Sequence, residues 1–192
     1  MGLDLTGCRT LVTGASSGIG AGLAKALAAQ GAVVGICARR ADRLTEVVGR
    51  LMDQSPGSRM WVVDLADPDA VDRLAVDVMN AFGGVDLLVN NAGIPKRRHV
   101  TALDIETITQ VMHINYLSPM RLTMALLPQM LQRGSGHIVN ISSIAATLSA
   151  PGEAAYDASK AALTARAPDA MHPPPVQTRT WLLNCSISAS FF

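Results

Sequence analysis

Tyr156-Asp-Ala-Ser-Lys160 sets a phenol and an ammonium four residues apart, so that on a helix both fall on one face. A cation beside a phenol favours the phenolate and brings a tyrosine toward the pKa range useful for proton transfer. Such a pair is also a common surface contact, so its neighbours must decide. Ser143 closes the run Ile138-Val-Asn-Ile-Ser-Ser143, thirteen positions before Tyr156. Its hydroxyl could hydrogen-bond a carbonyl oxygen, while Ser142, on a strand, would face the opposite way.

A second group of residues suits an anion. Thr13-Gly-Ala-Ser-Ser-Gly-Ile-Gly20 joins a short apolar run to a helical pattern with the spacing G-x-x-x-G-x-G. Gly14, Ser16, Ser17, Gly18, Ile19 and Gly20 would let a backbone turn approach a pyrophosphate held by free amides at the helix start. No Gly-Lys-Ser or Gly-Lys-Thr follows, which separates the segment from the P-loop. Its plain alternative is a glycine-rich strand-to-helix turn. The next apolar run ends Ile36-Cys-Ala-Arg-Arg40 with no carboxylate. An acid there would accept from the ribose of NAD, whereas Arg39 and Arg40 can pair with a 2′-phosphate, so NADP(H) is preferred over NAD(H). Otherwise the two arginines are solvated residues opening the next helix. Asp64, with Leu65 after it, follows a third apolar run and could meet an adenine, or could cap the helix that begins at Pro68.

The elements that would position these groups alternate. Apolar runs at Arg9–Thr13, Ala32–Ala38, Arg59–Val63, Val85–Asn90 and His137–Ile141 read as strands. Helical periodicity occupies Ile19–Gln30, Asp42–Met52, Asp69–Phe82, segments between Asp104 and Gln132, and a stretch starting near Glu153. Strands apolar on both faces and separated by helix-length crossovers predict an α/β fold with a doubly wound parallel sheet. Ligands of such sheets bind beyond the carboxyl ends of the strands, where the glycine loop, Asn90-Asn91-Ala92-Gly93 and Ser143 should converge.

Composition removes several alternatives. Sixteen Lys and Arg against fifteen Asp and Glu leave a formal charge of +1, no footprint for nucleic acid, and the densest basic group is only Lys96-Arg97-Arg98. Charged residues make up 16% of the chain and aromatics 4%, so the core must be built of small and aliphatic side chains. No uncharged stretch reaches the roughly 20 apolar residues of a membrane span, and Met1 to Thr6 lacks a basic and then apolar leader pattern, so a cytoplasmic protein is expected. Cys8, Cys37 and Cys185 share no ligand spacing and the four histidines are dispersed; reduced thiols and no metal are expected.

Together these residues resemble the short-chain dehydrogenase/reductase family over about residues 3 to 164. The resemblance implies a Rossmann fold, a nicotinamide cofactor and hydride transfer between it and a ketone or secondary alcohol as the small-molecule substrate. It also implies roles. Gly14, Ser16, Ser17, Gly18, Ile19 and Gly20 match the cofactor loop. Asn90, Ala92 and Gly93 match the motif that steadies the sheet, with Asn91 beside the cofactor. Ser143 would bond the substrate carbonyl, Tyr156 would give or take its proton, and Lys160 would hold the nicotinamide ribose and depress the Tyr156 pKa. Asn115, in His113-Ile-Asn-Tyr116, matches the residue that kinks the long helix and helps hold a relay water.

Beyond Thr164 the chain departs from the family, which continues the helix and adds further strands, a nicotinamide-contacting turn and a substrate lobe. Arg166-Ala-Pro168 and Pro173-Pro174-Pro175 stop a helix, and no later strand is recognisable by pattern, although Trp181 to Phe192 could pair somewhere. A Rossmann-type domain over 1–166, incomplete, and an atypical tail over 167–192 are expected. The strand at Ile138 to Ile141 would then expose its edge unless the tail covers it. The family's homo-oligomer, which packs the helix of Tyr156 between subunits, would be weakened here. Two functions follow: an NADP(H)-dependent oxidoreductase, or a non-catalytic product that at most binds the dinucleotide or a protein partner. Ile94 to Val100 and Ala145 to Glu153 should border the substrate, with Leu148, Ala150 and Pro151 favouring an apolar one.

Overall fold

A computed structural model describes residues 4–148, 151–165 and 176–183, with side chains through 165. Six parallel strands form one sheet in the order β3-β2-β1-β4-β5-β6. They are β1 (Arg9–Thr13), β2 (Val33–Ala38), β3 (Arg59–Val62), β4 (Leu87–Asn90), β5 (Gly136–Ser143) and β6 (Val176–Leu183). The helices are α1 (Gly18–Ala29), α2 (Ala41–Met52), α3 (Pro68–Phe82), α4 (Ile105–Met112), α5 (Ser118–Arg133) and α6 (Ala154–Thr164). Strand order reverses between β1 and β4, so the crevice for a ligand opens at their carboxyl ends.

Alternation along each strand explains why the runs read as apolar throughout. Leu11, Cys37, Leu88 and Ile138 face one layer, where they meet Leu74 and Val78 of α3 and Leu122, Leu126 and Met130 of α5. Their neighbours Val12, Ile36, Val89 and Ile141 face the other, against Ala24 and Ala28 of α1 and Leu44 and Leu51 of α2. Two apolar faces leave no polar beat for the period of two to register. At the amino edge of the sheet, Asp86 takes the Arg9 guanidinium at both carboxylate oxygens, at 2.8 and 2.6 Å, and Arg133 at 3.1 Å.

The strand at Ile138 to Ile141 is not an edge. β6 pairs with β5 over its full length, from Gly136↔Val176 to Ser143↔Leu183, and covers the edge expected to be open. A parallel partner is chosen by backbone hydrogen bonds, which carry no side-chain period, so the pattern of 176–183 could not announce its place. The prolines at 168 and 173–175, Cys185 and the rest of the tail lie outside the described residues.

Candidate active site

The glycine loop crosses the carboxyl end of β1. Gly14 sits at φ +68°, and a Cβ there would lie 2.7 Å from the Ala92 Cα, so the loop and the segment after β4 touch backbone to backbone. Three contacts lock this crossing. The Thr13 hydroxyl accepts the amides of Asn91 at 3.0 Å and Ala92 at 3.1 Å, and Asn91 Nδ2 donates to the Thr13 carbonyl at 2.9 Å. Gly14 N donates to Cys37 O of β2 at 2.8 Å. Burial pushes the Cys37 thiol up to about 12, leaving it inert beneath the loop. Helix α1 then begins with no side-chain cap from Ser17 and no acid in its first turn, so its leading amides have no side-chain acceptor from the cap residue.

A cavity of about 560 Å³ lies there. Twelve of the residues singled out from sequence line it: Gly14, Ser16, Ser17, Ile19, Gly20, Arg39, Arg40, Asp64, Leu65, Asn91, Ala92 and Gly93. Gly18 starts α1 just behind this wall. Arg40 Nη2 reaches the Ser17 hydroxyl at 2.7 Å and the Ser16 hydroxyl at 3.0 Å, which bends the guanidinium over the loop. Arg39 is exposed on the same wall. Asp64 does not cap α3: Asp67 does, accepting from Asp69 N at 2.9 Å, and Asp64 accepts from Ala66 N at 3.0 Å beside the cavity.

Of the second set, none lines this cavity, but Asn115 and Lys160 approach it behind Gly93. Between α4 and α5 the chain widens into one π-helical turn, His113–Leu117, which turns Asn115 fully inward. Its carboxamide accepts from Ile94 N at 2.8 Å and donates to Ile94 O at 3.1 Å and to the Ser159 hydroxyl at 3.0 Å. Lys160 is 4% exposed; its Nζ donates to Ile141 O at 2.9 Å and lies 5.9 Å from the centre of the Tyr156 ring, on the shared helical face. A Cβ on Gly93 would stand 3.3 Å from Asn115 Oδ1 and 3.4 Å from Lys160 Nζ, so this glycine of the cavity wall lies against both groups. The serines face apart. Ser142 bonds Thr164 of α6 at 2.6 Å, while Ser143, buried at the strand end, accepts from Ala145 N at 3.2 Å.

Sequence reasoning overlooked the hydroxyls beneath the site. Ser118, the buried first residue of α5, donates to Leu65 O. Thr13 and Ser159 hold Asn91 and Asn115 as described. Thr13 and Ser159 lie inside the quoted motifs with no role assigned to them, and Ser118 is a small polar residue ahead of Pro119. Asn90 also pairs across the sheet with Asn140, at 3.0 Å, and with Thr123 of α5. Among the described residues no helix is long and apolar enough to cross a membrane, and no group of three or more potential metal ligands occurs.

Known proteins share this architecture. Residues 9–172 match the profile of the short chain dehydrogenase family. The mouse dehydrogenase/reductase SDR family member 7B is 43% identical over 159 residues, 81% of this chain and 49% of that protein. A fatty acyl-CoA reductase of Mycobacterium tuberculosis is 43% identical over 167 residues, 85% of this chain and 56% of the relative. A metagenomic short-chain oxidoreductase solved in complex with NADP superposes with a TM-score of 0.79 at 35% identity, covering 84% of this chain and 73% of that one. The chain thus spans about half the length of the curated relatives it matches. With the switch-point crevice, the glycine loop crossing β1 and a family match over most of its length, this chain belongs to the short-chain dehydrogenase family.

Proposed function

We propose that the chain binds NADP(H) in this crevice and interconverts a ketone and a secondary alcohol, with Tyr156 as the acid and base. One observation carries the reading. The Arg40 guanidinium is fixed over Ser16 and Ser17 on the wall of a cavity that Gly93 also lines, and Gly93 lies against Asn115 and Lys160.

The residues fit the cofactor. The uncapped start of α1 offers amides to a pyrophosphate, and Gly14 gives the close approach its backbone needs. Arg40 and Arg39 would take the 2′-phosphate; the one acid among the described residues on the wall, Asp64, sits after β3 and not after β2. One relative is consistent with this, a metagenomic short-chain oxidoreductase solved in complex with NADP. When bound, the nicotinamide supplies or accepts a hydride.

The chain's own groups supply the rest. Ser143 would donate to the carbonyl oxygen and hold it near the Tyr156 phenol. Tyr156 would give that oxygen a proton in reduction and remove it in oxidation. Lys160, a cation 5.9 Å from the ring, favours the phenolate and so eases the exchange. Asn115 fixes the backbone of Ile94 through both its N–H and its C=O, which keeps the floor next to Gly93 in place.

Turnover of a ketone panel with NADPH tests the proposal, with Tyr156→Phe as the control. The variant should lose about 100-fold or more in kcat and keep its NADPH-dependent thermal stabilisation. Undiminished turnover in Tyr156→Phe overturns the acid-base role. Stabilisation by NADPH with no turnover in the wild type favours the non-catalytic dinucleotide binder instead.

A further inference from the structure

The basic run Lys96-Arg97-Arg98 has no part in cofactor binding as described above, yet the fold carries it directly from the catalytic groups. Its segment begins at Gly93, against Asn115 and Lys160, and continues through Ile94 and Pro95, which line the cavity. It ends tied to the start of α6: Arg98 N donates to Gly152 O at 2.8 Å, and Arg97 forms an ion pair with Glu153. Glu153 is mostly buried, so Arg97 is occupied in holding this junction. The strap therefore runs from the neighbourhood of Asn115 and Lys160 to the start of α6, the helix that carries Tyr156 and Lys160.

Lys96 and Arg98 are left over. Neither makes an ion pair with a described residue. Of the carboxylates on the adjoining elements, Glu153 is taken by Arg97. Asp104 caps α4, its carboxyl held low chiefly by the Thr107 amide at 2.7 Å, with Arg98 and Lys96 adding a smaller pull. Glu106 lies in the first turn of α4 and pairs with neither cation. Lys96 is half-buried while Arg98 is exposed. Val100, two residues after Arg98, is 70% exposed, and Leu148, in the stretch before α6, is 60% exposed.

Chain length sets the reach. Lys96 is three residues from Gly93, so its Cα stands at most about 11 Å from that of the glycine, and Arg98 at most about 18 Å. Two cations with no ion pair among the described residues at that range, with exposed Val100 two residues on, match a substrate with an apolar body and an anion at its far end.

Resting on the oxidoreductase reading above, we infer that the substrate is an amphiphilic carbonyl compound whose carboxylate or phosphate is held by Lys96 and Arg98. In the reduction the carbonyl carbon gains a hydride and its oxygen a proton. The C=O π bond gives way to C–H and O–H bonds, and NADPH becomes NADP+.

The test compares chains of equal length. Medium-chain keto acids and keto-alkyl phosphates are set against the corresponding methyl esters, using wild type and Lys96→Ala/Arg98→Ala. The double variant should lose about tenfold in kcat/KM for the anionic substrates, more at low salt, and stay within about twofold for the neutral ones. The carboxylate and phosphate arms show which anion is preferred. Calorimetry with decanoate, decyl phosphate and decanol repeats the comparison without turnover. Anion preference in binding with no turnover of any carbonyl would refute the oxidoreductase reading and leave the anion site standing. Turnover of neutral and anionic substrates alike, unchanged in the double variant, would overturn the anion site and keep the oxidoreductase. It is equally overturned if Lys96 and Arg98 matter only for adhesion to phosphatidylserine vesicles.

Discussion

Three glycines in and beside the cofactor loop separate backbone strain from steric contact, and alanine at each should give a graded result. Gly22 lies inside α1 with no atom within 4 Å of the place a Cβ would take. Gly22→Ala should therefore stabilise the protein by about 0.5–1 kcal/mol, the difference in helix propensity. Gly18 is equally open but sits at φ +56°. There the left-handed conformation costs an L-residue about 1–2 kcal/mol, offset by up to about 1 kcal/mol from the stiffer unfolded chain, for a net loss of about 1 kcal/mol. Gly14 adds contact to strain: φ is +68° and the Cβ would stand 2.7 Å from Ala92 Cα and 3.1 Å from Ala92 N. Carbon atoms pack comfortably at about 3.5–4.0 Å, so one backbone must move by about 1 Å. That movement would disturb the bonds from Asn91 and Ala92 to Thr13. Overpacking of this kind costs about 1–3 kcal/mol, so Gly14→Ala should lose about 2–4 kcal/mol in all. Urea unfolding with a common m-value measures all three. Equal effects at Gly14 and Gly18 would show that the loop does not press on Ala92, and a neutral Gly14→Ala would refute the described crossing.

Other outcomes follow from single contacts. Asp86, its carboxyl held below the usual range chiefly by its hydrogen bonds to Arg9, has a depressed folded pKa, so its contribution is full above the unfolded value near 3.9 and fades as pH falls through the folded one. Asp86→Asn should cost about 1 kcal/mol at pH 7, since solvent screens a pair nearly one-third exposed, and the deficit measured by denaturation should shrink below about pH 4. Cys37, with its pKa near 12 and no exposure, should react with a disulfide reagent only on unfolding, whereas half-buried Cys8 should react in the folded protein when each is tested in a single-cysteine variant. Ser118→Ala leaves the Leu65 carbonyl without its donor on the cavity wall; calorimetry should show NADPH binding weakened several-fold, with restoration by Ser118→Thr.

What was legible in the sequence was what is local in the chain. The glycine spacing, the Tyr156 and Lys160 pair and the opposed faces of Ser142 and Ser143 each follow from a helix or strand period acting over a few residues, and the structure shows those placements. Asp64 was ambiguous because Asp67, three residues on, is just as able to cap a helix opened by Pro68, and only the direction of the turn decides between them. The place of β6 was illegible for a different reason: its partner is chosen through backbone N–H and C=O groups that nearly every residue carries, only the proline N–H being missing.

The hydroxyls under the site show where such reading stops. Thr13 meets the segment after β4 some 78 residues later, Ser118 meets Leu65 across 53, and Ser159 meets Asn115 across 44. A small hydroxyl residue announces that it needs a partner once buried, because an unmet polar group costs more than a made hydrogen bond returns. It does not announce which one. Topology decides that: the switch between β1 and β4 brings Thr13 to Asn91, and the π turn aims Asn115 at Ser159 while setting Ser118 under Leu65. The groups able to do chemistry were visible because their spacing is short. The groups that hold them there have their partners tens of residues away, and only the folded sheet brings them together.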